Sequence, residues 1–339
     1  MRLGIVVPCY NEEAVLAETA KRLIELLNRM IEKGKISPDS MVYFVNDGSK
    51  DRTWEIIEAQ SAASKLIGGI NLSRNQGHQH ALLGGLFTAK GDALVSIDAD
   101  LQDDVNVIEE MVDRYHEGCD IVYGVRKQRE TDTRFKKLTA EGFYKLMLWM
   151  GVDIVYNHAD YRLMSRRAVE ELKGYKEVNL FLRGIVPLLG FKTANVYYDR
   201  AERFAGESKY PLKKMLAFAW NGITSFSTVP LKLITILGFI IFLTTLMATG
   251  WVFLVWAVLD SAIPGWASTV LPIFFFGGVQ ILSIGVIGEY LGKVYSETKA
   301  RPRFIIERVL EHDDSPPART RKSAEANHKS REKTNEHHR

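Results

Sequence analysis

The stretch with the clearest capacity for chemistry is Ser96-Ile97-Asp98-Ala99-Asp100-Leu101-Gln102-Asp103-Asp104, which follows the apolar run Ala93-Leu94-Val95. Such a run reads as a buried strand. Asp98 and Asp100 stand two residues apart, and on extended backbone they project to the same side with Cα atoms roughly 6–7 Å apart. Carboxylates held so close repel unless a cation lies between them. Oxygen-only ligands favour a hard cation, Mg2+ or Mn2+, which keeps open positions for substrate phosphates. A bare Asp-x-Asp also reads as a solvated acidic turn, since short motifs recur by chance.

The elements that must position this pair are legible around it. Leu3–Pro8 is a short apolar, β-branched run and a strand candidate. A helical pattern opens at Asn11-Glu12-Glu13 and runs to about Ile31, with Val15, Leu23, Leu26, Leu27 and Met30 on one face. Met41–Val45, Leu66–Leu72, Ala93–Ile97 and Ile121–Val125 read as further strands. Helices are expected to begin near Thr53 and after Ser73-Arg74-Asn75-Gln76-Gly77-His78, the second running to about Ala89. Strands alternating with helices over short connections predict an α/β domain with a mostly parallel, Rossmann-like sheet. Ligands of such sheets bind outside the carboxyl ends of the strands, and Asp47 and Asp98 both lie at such ends. Neither a GxGxxG nor a GxxxxGK[ST] fingerprint occurs.

After Val125 the character changes. Arg126, Arg129, Arg134, Lys136 and Lys137 make a basic loop, Ala140–Met150 is amphipathic, and Arg200, Arg203 and Lys209 add positive charge further on. Lys232 to Asp260 and Asp260 to Glu289 are free of charged residues in between, each interval longer than the roughly 20 residues that cross a bilayer as helix. The expected spans are about 233–259 and 266–288. Their connector carries no Lys or Arg while Lys213, Lys214, Lys232, Lys293, Lys299, Arg301 and Arg303 flank them, which puts both chain ends on the cytoplasmic side of the plasma membrane. Gly285, Gly288 and Gly292 could allow close helix packing. Residues 210–229 suit an interfacial amphipathic segment, 293–310 a cytoplasmic juxtamembrane segment, and 311–339 a disordered polar tail. That leaves 1–209 as the α/β domain.

Composition narrows the class. The chain has 339 residues, a formal net charge of +3 and 46% hydrophobic residues, a balance that argues against nucleic acid as a partner. Its cysteines, Cys9 and Cys119, form no CxxC or Cys/His cluster, so zinc is not expected. The apolar run Leu3–Cys9 is too short for a signal peptide.

Val6-Val7-Pro8-Cys9-Tyr10-Asn11-Glu12-Glu13, Asn46-Asp47-Gly48-Ser49-Lys50-Asp51, Asp98-Ala99-Asp100-Leu101-Gln102-Asp103 and Asp160-Tyr161-Arg162-Leu163-Met164-Ser165 occur in that order. Together they resemble family 2 inverting glycosyltransferases of GT-A fold. The likeness is nearer to bacterial polyprenyl-phosphate (bactoprenol) glucosyltransferases and more distant to dolichol-phosphate mannose synthase. It extends through Arg203–Lys209, Gly222–Ser227 and Gly288–Gly292, covering roughly residues 1–308. The resemblance implies transfer of a sugar, by default glucose, from a nucleotide-sugar, by default UDP-linked, to polyprenyl phosphate. It implies a nucleotide-sugar site of Pro8, Tyr10, Glu12, Asp47, Asp98, Arg203, Ser208 and Lys209. Asp100 and Gln102 would hold Mg2+ or Mn2+ on the donor diphosphate, and Arg126, Arg129 and Arg134 would meet the acceptor phosphate. Asp98, Asp160, Arg126 and Arg129 would form the catalytic set, in a membrane-bound homo-oligomer. His78-Gln79-His80 and Tyr156-Asn157-His158-Ala159 depart from the family pattern, and both are read as structural rather than ligating. A processive polysaccharide synthase would show a Gln-x-x-Arg-Trp motif and more spans, neither of which is found; a non-catalytic membrane subunit is opposed by the acidic pair and the basic segments.

A phosphomonoester acceptor has a second pKa of about 6, by analogy with phosphorylated side chains. Its oxygen is therefore charged at neutral pH and needs no general base, so Asp160 is expected to orient Arg162 or the acceptor loop.

Overall fold

Apolar runs without polar alternation form strands that are buried on both faces, as a sheet covered by helices on each side requires. The computed structural model describes residues 1–127, 158–178, 180–199, 229–259 and 266–311. The five expected strands stand within a residue of their predicted limits: β1 Leu3–Cys9, β2 Met41–Asn46, β3 Ile67–Leu72, β4 Ala93–Ser96 and β5 Ile121–Arg126. Three more join them: β6 His158–Ser165, β7 Thr193–Tyr198 and β8 Ile306–Leu310. The sheet order is β7-β5-β6-β4-β1-β2-β3-β8. β4, β1, β2 and β3 are parallel, β6 lies antiparallel between β4 and β5, β7 runs parallel to β5, and β8 closes the β3 edge antiparallel. This is the mostly parallel α/β sheet expected of a GT-A domain.

Helices α1 Leu16–Glu32, α2 Thr53–Ala63 and α4 Val107–His116 cover one face; α3 His78–Thr88, α5 Arg166–Leu172 and α6 Leu182–Leu188 cover the other. Apolar residues Leu16, Ala20, Leu23, Leu27 and Met30 recur every three or four positions along α1 and are buried. α1 starts at Leu16, not at Asn11 as the pattern suggested. Asn11 is left-handed (φ 55°), a conformation that cannot open a right-handed helix. Residues 11–13 instead lace to the 49–53 turn: Asn11 N–H donates to Ser49 Oγ, Glu12 N–H to Thr53 Oγ1, and Arg52 N–H to Glu13. α3 lies close on the sheet because Gly85 faces it; a Cβ there would fall 2.3 Å from Val6 Cγ1 and 2.7 Å from Val45 Cγ2.

Two long helices follow, α7 Val229–Leu259 and α8 Trp266–Thr298. Among the described residues one helical stretch, Phe275–Thr298, is long and apolar enough to cross a membrane; Val229–Ile241 is apolar but shorter. Ile236, Phe239, Trp251, Ile281, Leu282 and Leu291 all face outward. Among the described residues, nothing lies within 4 Å of a Cβ added at Gly285, Gly288 or Gly292.

The division that ended the catalytic domain at 209 and made 293–310 a juxtamembrane segment needs correction. Residues 297–311 return to the sheet domain and complete it. The Glu297 carboxylate accepts the Val178 N–H at 2.8 and 3.0 Å, Arg303 Nη1 donates to Tyr175 O, Phe304 packs on Phe87, and β8 pairs with β3. Glu311 ties to Lys90 and accepts from Tyr43 Oη. Apolar Phe304 and Ile306 pack against the core face that holds α3, a burial that polar linker composition concealed. The basic loop and interfacial segment, 128–157 and 200–228, and the tail 312–339 lie outside the described residues, and with them Arg129, Arg134, Arg203, Ser208 and Lys209.

Candidate active site

The strand order reverses between β1 and β4, and there the ends of β1, β2 and β4 open into a crevice of about 760 Å³. Such a reversal is where open α/β sheets bind ligands. Its walls include Pro8, Tyr10 and Glu12 after β1, Asp47 after β2, and Asp98 and Asp100 after β4. His78 opens α3, Asp160 lies on β6 and Arg183 on α6. Seven of the residues anticipated from sequence thus line one crevice.

The acidic turn divides its labour. Extended backbone ends at Ser96, and the chain bends at once, with Leu101 left-handed at φ 57°. The same-side argument from strand geometry therefore does not apply, although Asp98 and Asp100 both reach the crevice. Thr19 Oγ1 on α1 donates to Ala99 O at 2.8 Å and fixes the bend from behind. Gln102 contributes its N–H, which donates to Asp100 Oδ1 at 3.1 Å, and is not in the crevice wall. Asp103 turns inward, buried, where it accepts from Tyr198 Oη at 2.6 Å and pairs with Arg126 at 3.1 Å.

Arg126 is engaged within the domain by that pairing. β6 inserts between β5 and β4, so the end of β5 stands one strand further from the crevice, and the Arg126 guanidinium binds Asp103 and Tyr198 Oη. Asp47 is also more occupied than expected. It is 2% exposed and its two oxygens accept the N–H groups of Gln76 at 2.7 Å and Gly77 at 2.9 Å, pinning the turn before α3. Burial raises its carboxyl above the ordinary value, against the pull of those two bonds.

Asp160 lies among cations. Arg162, 2% exposed, donates to Oδ1 at 2.6 Å, and Arg183 on α6 reaches both oxygens at 3.4 Å. Burial alone would raise this carboxyl, but Arg183, Arg162 and His78 together hold it well below the usual carboxylate range. Asp98 goes the other way: burial raises it, His78 opposes, and Asp160, Asp103 and Asp100 add to the rise. Carboxylates crowded in this way are a setting in which a bound cation stabilises the ionised forms.

His78 and Arg183 are the residues sequence reasoning missed. His78, read as structural, has Nε2 3.5 Å from Asp98 and 3.7 Å from Asp160, and so bridges the two carboxylates inside the crevice. Gln79 and His80 line the crevice too, and each also braces the backbone around it. Gln79 Oε1 accepts the Leu182 N–H at 2.9 Å, and His80 Nδ1 lies 3.0 Å from Gln76 O. Arg183 sits in the apolar run Phe181-Leu182-Arg183-Gly184-Ile185-Val186, where a lone guanidinium among buried residues was the available signal. Among the described residues no group of three His, Cys, Asp or Glu side chains could hold a metal unaided.

Residues 4–173 match the family model described as glycosyl transferase family 2. The chain is 53% identical over 317 residues to an uncharacterized glycosyltransferase, YkoT, of Bacillus subtilis (strain 168), covering 93% of this chain and 94% of that one. It is 40% identical over 310 residues to the bactoprenol glucosyl transferase of Shigella phage SfV, covering 90% and 98%. Among solved structures it is similar to glucosyl-3-phosphoglycerate synthase from Mycobacterium tuberculosis in complex with Mn2+, UDP and phosphoglyceric acid. That likeness, 20% identity and a TM-score of 0.43 over 66% of this chain and 76% of the other, is too distant to carry function.

Proposed function

Since the chain belongs to glycosyl transferase family 2, we propose that it transfers a sugar, by default glucose, from a UDP-linked donor to a polyprenyl phosphate such as undecaprenyl phosphate, with inversion. The observation that carries this reading is the crevice itself. Asp98 and Asp100 line the same cavity as Asp160 and Arg183, in a domain whose last strand follows a long, outward-apolar helix. The likeness to a bactoprenol glucosyl transferase over nine-tenths of the chain supports the acceptor class.

The donor set fits a hard cation: two crowded carboxylates, with Asp98 raised by its surroundings, supply oxygen ligands, and donor diphosphate oxygens would complete the shell. Asp98 and Asp100 would hold Mg2+ or Mn2+ there, and the ion would supply charge neutralisation for the departing diphosphate. Pro8, Tyr10, Glu12 and Asp47 line the crevice and are read as the donor side, and Asp47 also keeps the 76–77 turn closed. The acceptor phosphate oxygen attacks the anomeric carbon as the bond to the diphosphate breaks, and the nucleotide leaves with the electron pair. No proton has to be removed. Asp160, its acidity held high by two guanidiniums, is poorly suited to take one and instead keeps Arg162 and Arg183 in place. Arg129 and Arg134 on the acceptor side, and Arg203, Ser208 and Lys209 on the donor phosphates, keep the roles that resemblance gives them.

α7 and α8 are read as a membrane hairpin with both chain ends cytoplasmic, because outward Ile, Leu and Phe side chains along a helix are costly in water. A homo-oligomer is part of the same reading. The test is a screen of radiolabelled UDP- and GDP-sugars against undecaprenyl phosphate with the purified full-length protein. A labelled lipid product formed from one donor is expected; donor turnover without any lipid product would overturn the acceptor assignment.

A further inference from the structure

We propose that Arg183 binds the acceptor phosphate, an inference that rests on the polyprenyl-phosphate reading above. Asp160 has two guanidinium partners, and they are not equivalent. Arg162 is buried, binds Oδ1 at 2.6 Å and also reaches Leu182 O at 3.4 Å, so it faces the protein interior. Arg183 is one-third exposed, lines the crevice, and reaches Asp160 only at 3.4 Å through Nε and Nη2. Charge-assisted N–H···O bonds are usually about 2.7–2.9 Å long. Arg162 therefore already serves the carboxylate closely, and Arg183 brings positive charge to the cavity.

The need for that charge is local. Glu12, Asp47, Asp98, Asp100 and Asp160 all line the crevice, and among the described residues Arg183 is the single Arg or Lys in the same wall. A dianionic phosphate cannot approach such a surface without a cation to meet it, and the planar guanidinium fork matches phosphate oxygens two at a time. Placement separates the two anions. Arg183 contacts Asp160, His78 bridges Asp160 to Asp98, and Asp98 belongs to the diphosphate side. The acceptor is thus met beyond His78 from the leaving group, as an inverting displacement requires.

The segment before Arg183 is fastened on both sides. Leu182 N–H donates to Gln79 Oε1, and Val178 N–H donates to the carboxylate of Glu297 in the last turn of α8. Arg183 is therefore held near the place where the long apolar helix meets the catalytic domain, the side from which a lipid headgroup would arrive.

The test uses full-length protein in detergent, with wild type, Arg183→Ala and Arg183→Lys assayed against varied undecaprenyl phosphate and, separately, varied donor. Arg183→Ala is expected to raise the acceptor KM about 10- to 100-fold, the loss of one charge-assisted contact, with the donor KM and calorimetric donor affinity unchanged; Arg183→Lys should recover part of it. A rise in donor KM alone would overturn the proposal, and so would a fall in kcat with both KM values unchanged, which would make Arg183 a positioning residue for Asp160. If Arg183→Ala does not fold by thermal melt, Arg183→Lys and Arg183→Gln carry the same comparison. Wild-type protein that labels no polyprenyl phosphate defeats the functional reading, whereas active wild type with an unchanged acceptor KM in the variants defeats this inference alone.

Discussion

Asp160→Asn removes one negative charge while keeping the shape of the side chain, and its consequences can be worked out from the neighbours. Arg162 stays behind, 2% exposed, with a buried Nε that has no hydrogen-bond partner among the described residues and a guanidinium now facing a neutral amide. Breaking a buried ion pair from one side costs about 3–5 kcal/mol. The amide oxygen can still accept one bond from Arg162, which favours the lower end, about 3 kcal/mol. For a domain of this size that lowers the melting temperature by about 6–12 °C. Adding Arg162→Met takes away the orphaned cation and should return most of the loss. The pH dependence has a definite sign. The folded carboxyl lies below its unfolded value of about 3.9, so its contribution is fully present above pH 4 and is lost as pH falls towards the folded value. The gap between wild type and variant should therefore stay constant from pH 8 to pH 5 and narrow only in stronger acid. Transfer is the second readout. Its acid limb should come from the lipid phosphate, near pH 6 by analogy with phosphorylated side chains, and should keep its shape in the variant at a lower rate. An unchanged melting temperature would refute the electrostatic account of the Asp160–Arg162 pair. Loss of the acid limb, with rescue by formate or azide, would make Asp160 a base and refute the account of the nucleophile.

Asp100→Ala should abolish metal-dependent transfer, because the diphosphate loses much of its charge compensation; full activity of that variant in chelator would remove the cation from the mechanism. Gly85→Val should destabilise by about 1–3 kcal/mol through overpacking, since Val6 and Val45 already fill the space a side chain needs, and a melting curve that superposes on wild type would contradict the close seat of α3. Tags at the N-terminus and after Glu311 should be protected in intact cells while a tag at Pro264 is reached from outside; an accessible C-terminus would refute the two-span hairpin.

What the sequence disclosed follows from how each element is buried. β1 to β5 are covered on both faces or nearly so, and their apolar runs could be read directly. β6 was invisible as a strand because Asp160 and Arg162, two charges neutralising each other inside the protein, interrupt its apolar alternation. β8 was invisible for a different reason: Glu307 and Arg308 face outward on an edge, and only the three-dimensional return of the chain gives Ile306 and Leu310 something to cover. The site was legible where chemistry is carried by types that seldom sit together by chance, as with Asp98 and Asp100. It was not legible where one motif does two jobs. His78 and His80 are two residues apart and both line the crevice, yet one bridges Asp98 and Asp160 while the other ties back to the turn at Gln76. Asp103 continues the acidic run but serves as the anchor of Arg126. Spacing along a chain does not report which side of a bend a side chain takes.

The place of β8 also bears on the order in which the molecule can be made. β3 pairs with a strand that leaves the ribosome after both long helices, so its outer edge stays open through most of synthesis. An open strand edge is a template for wrong pairing, and a contact between such distant parts of a chain forms late. The helices must be settled before residues 306–310 can reach the sheet, and Glu297 and Phe304 can fasten only at the same stage. Completion of the catalytic domain is thereby made conditional on disposal of the apolar helices. A chain stopped before Ile306 would retain most of the crevice residues but carry an exposed edge, and aggregation rather than loss of chemistry would be its first defect.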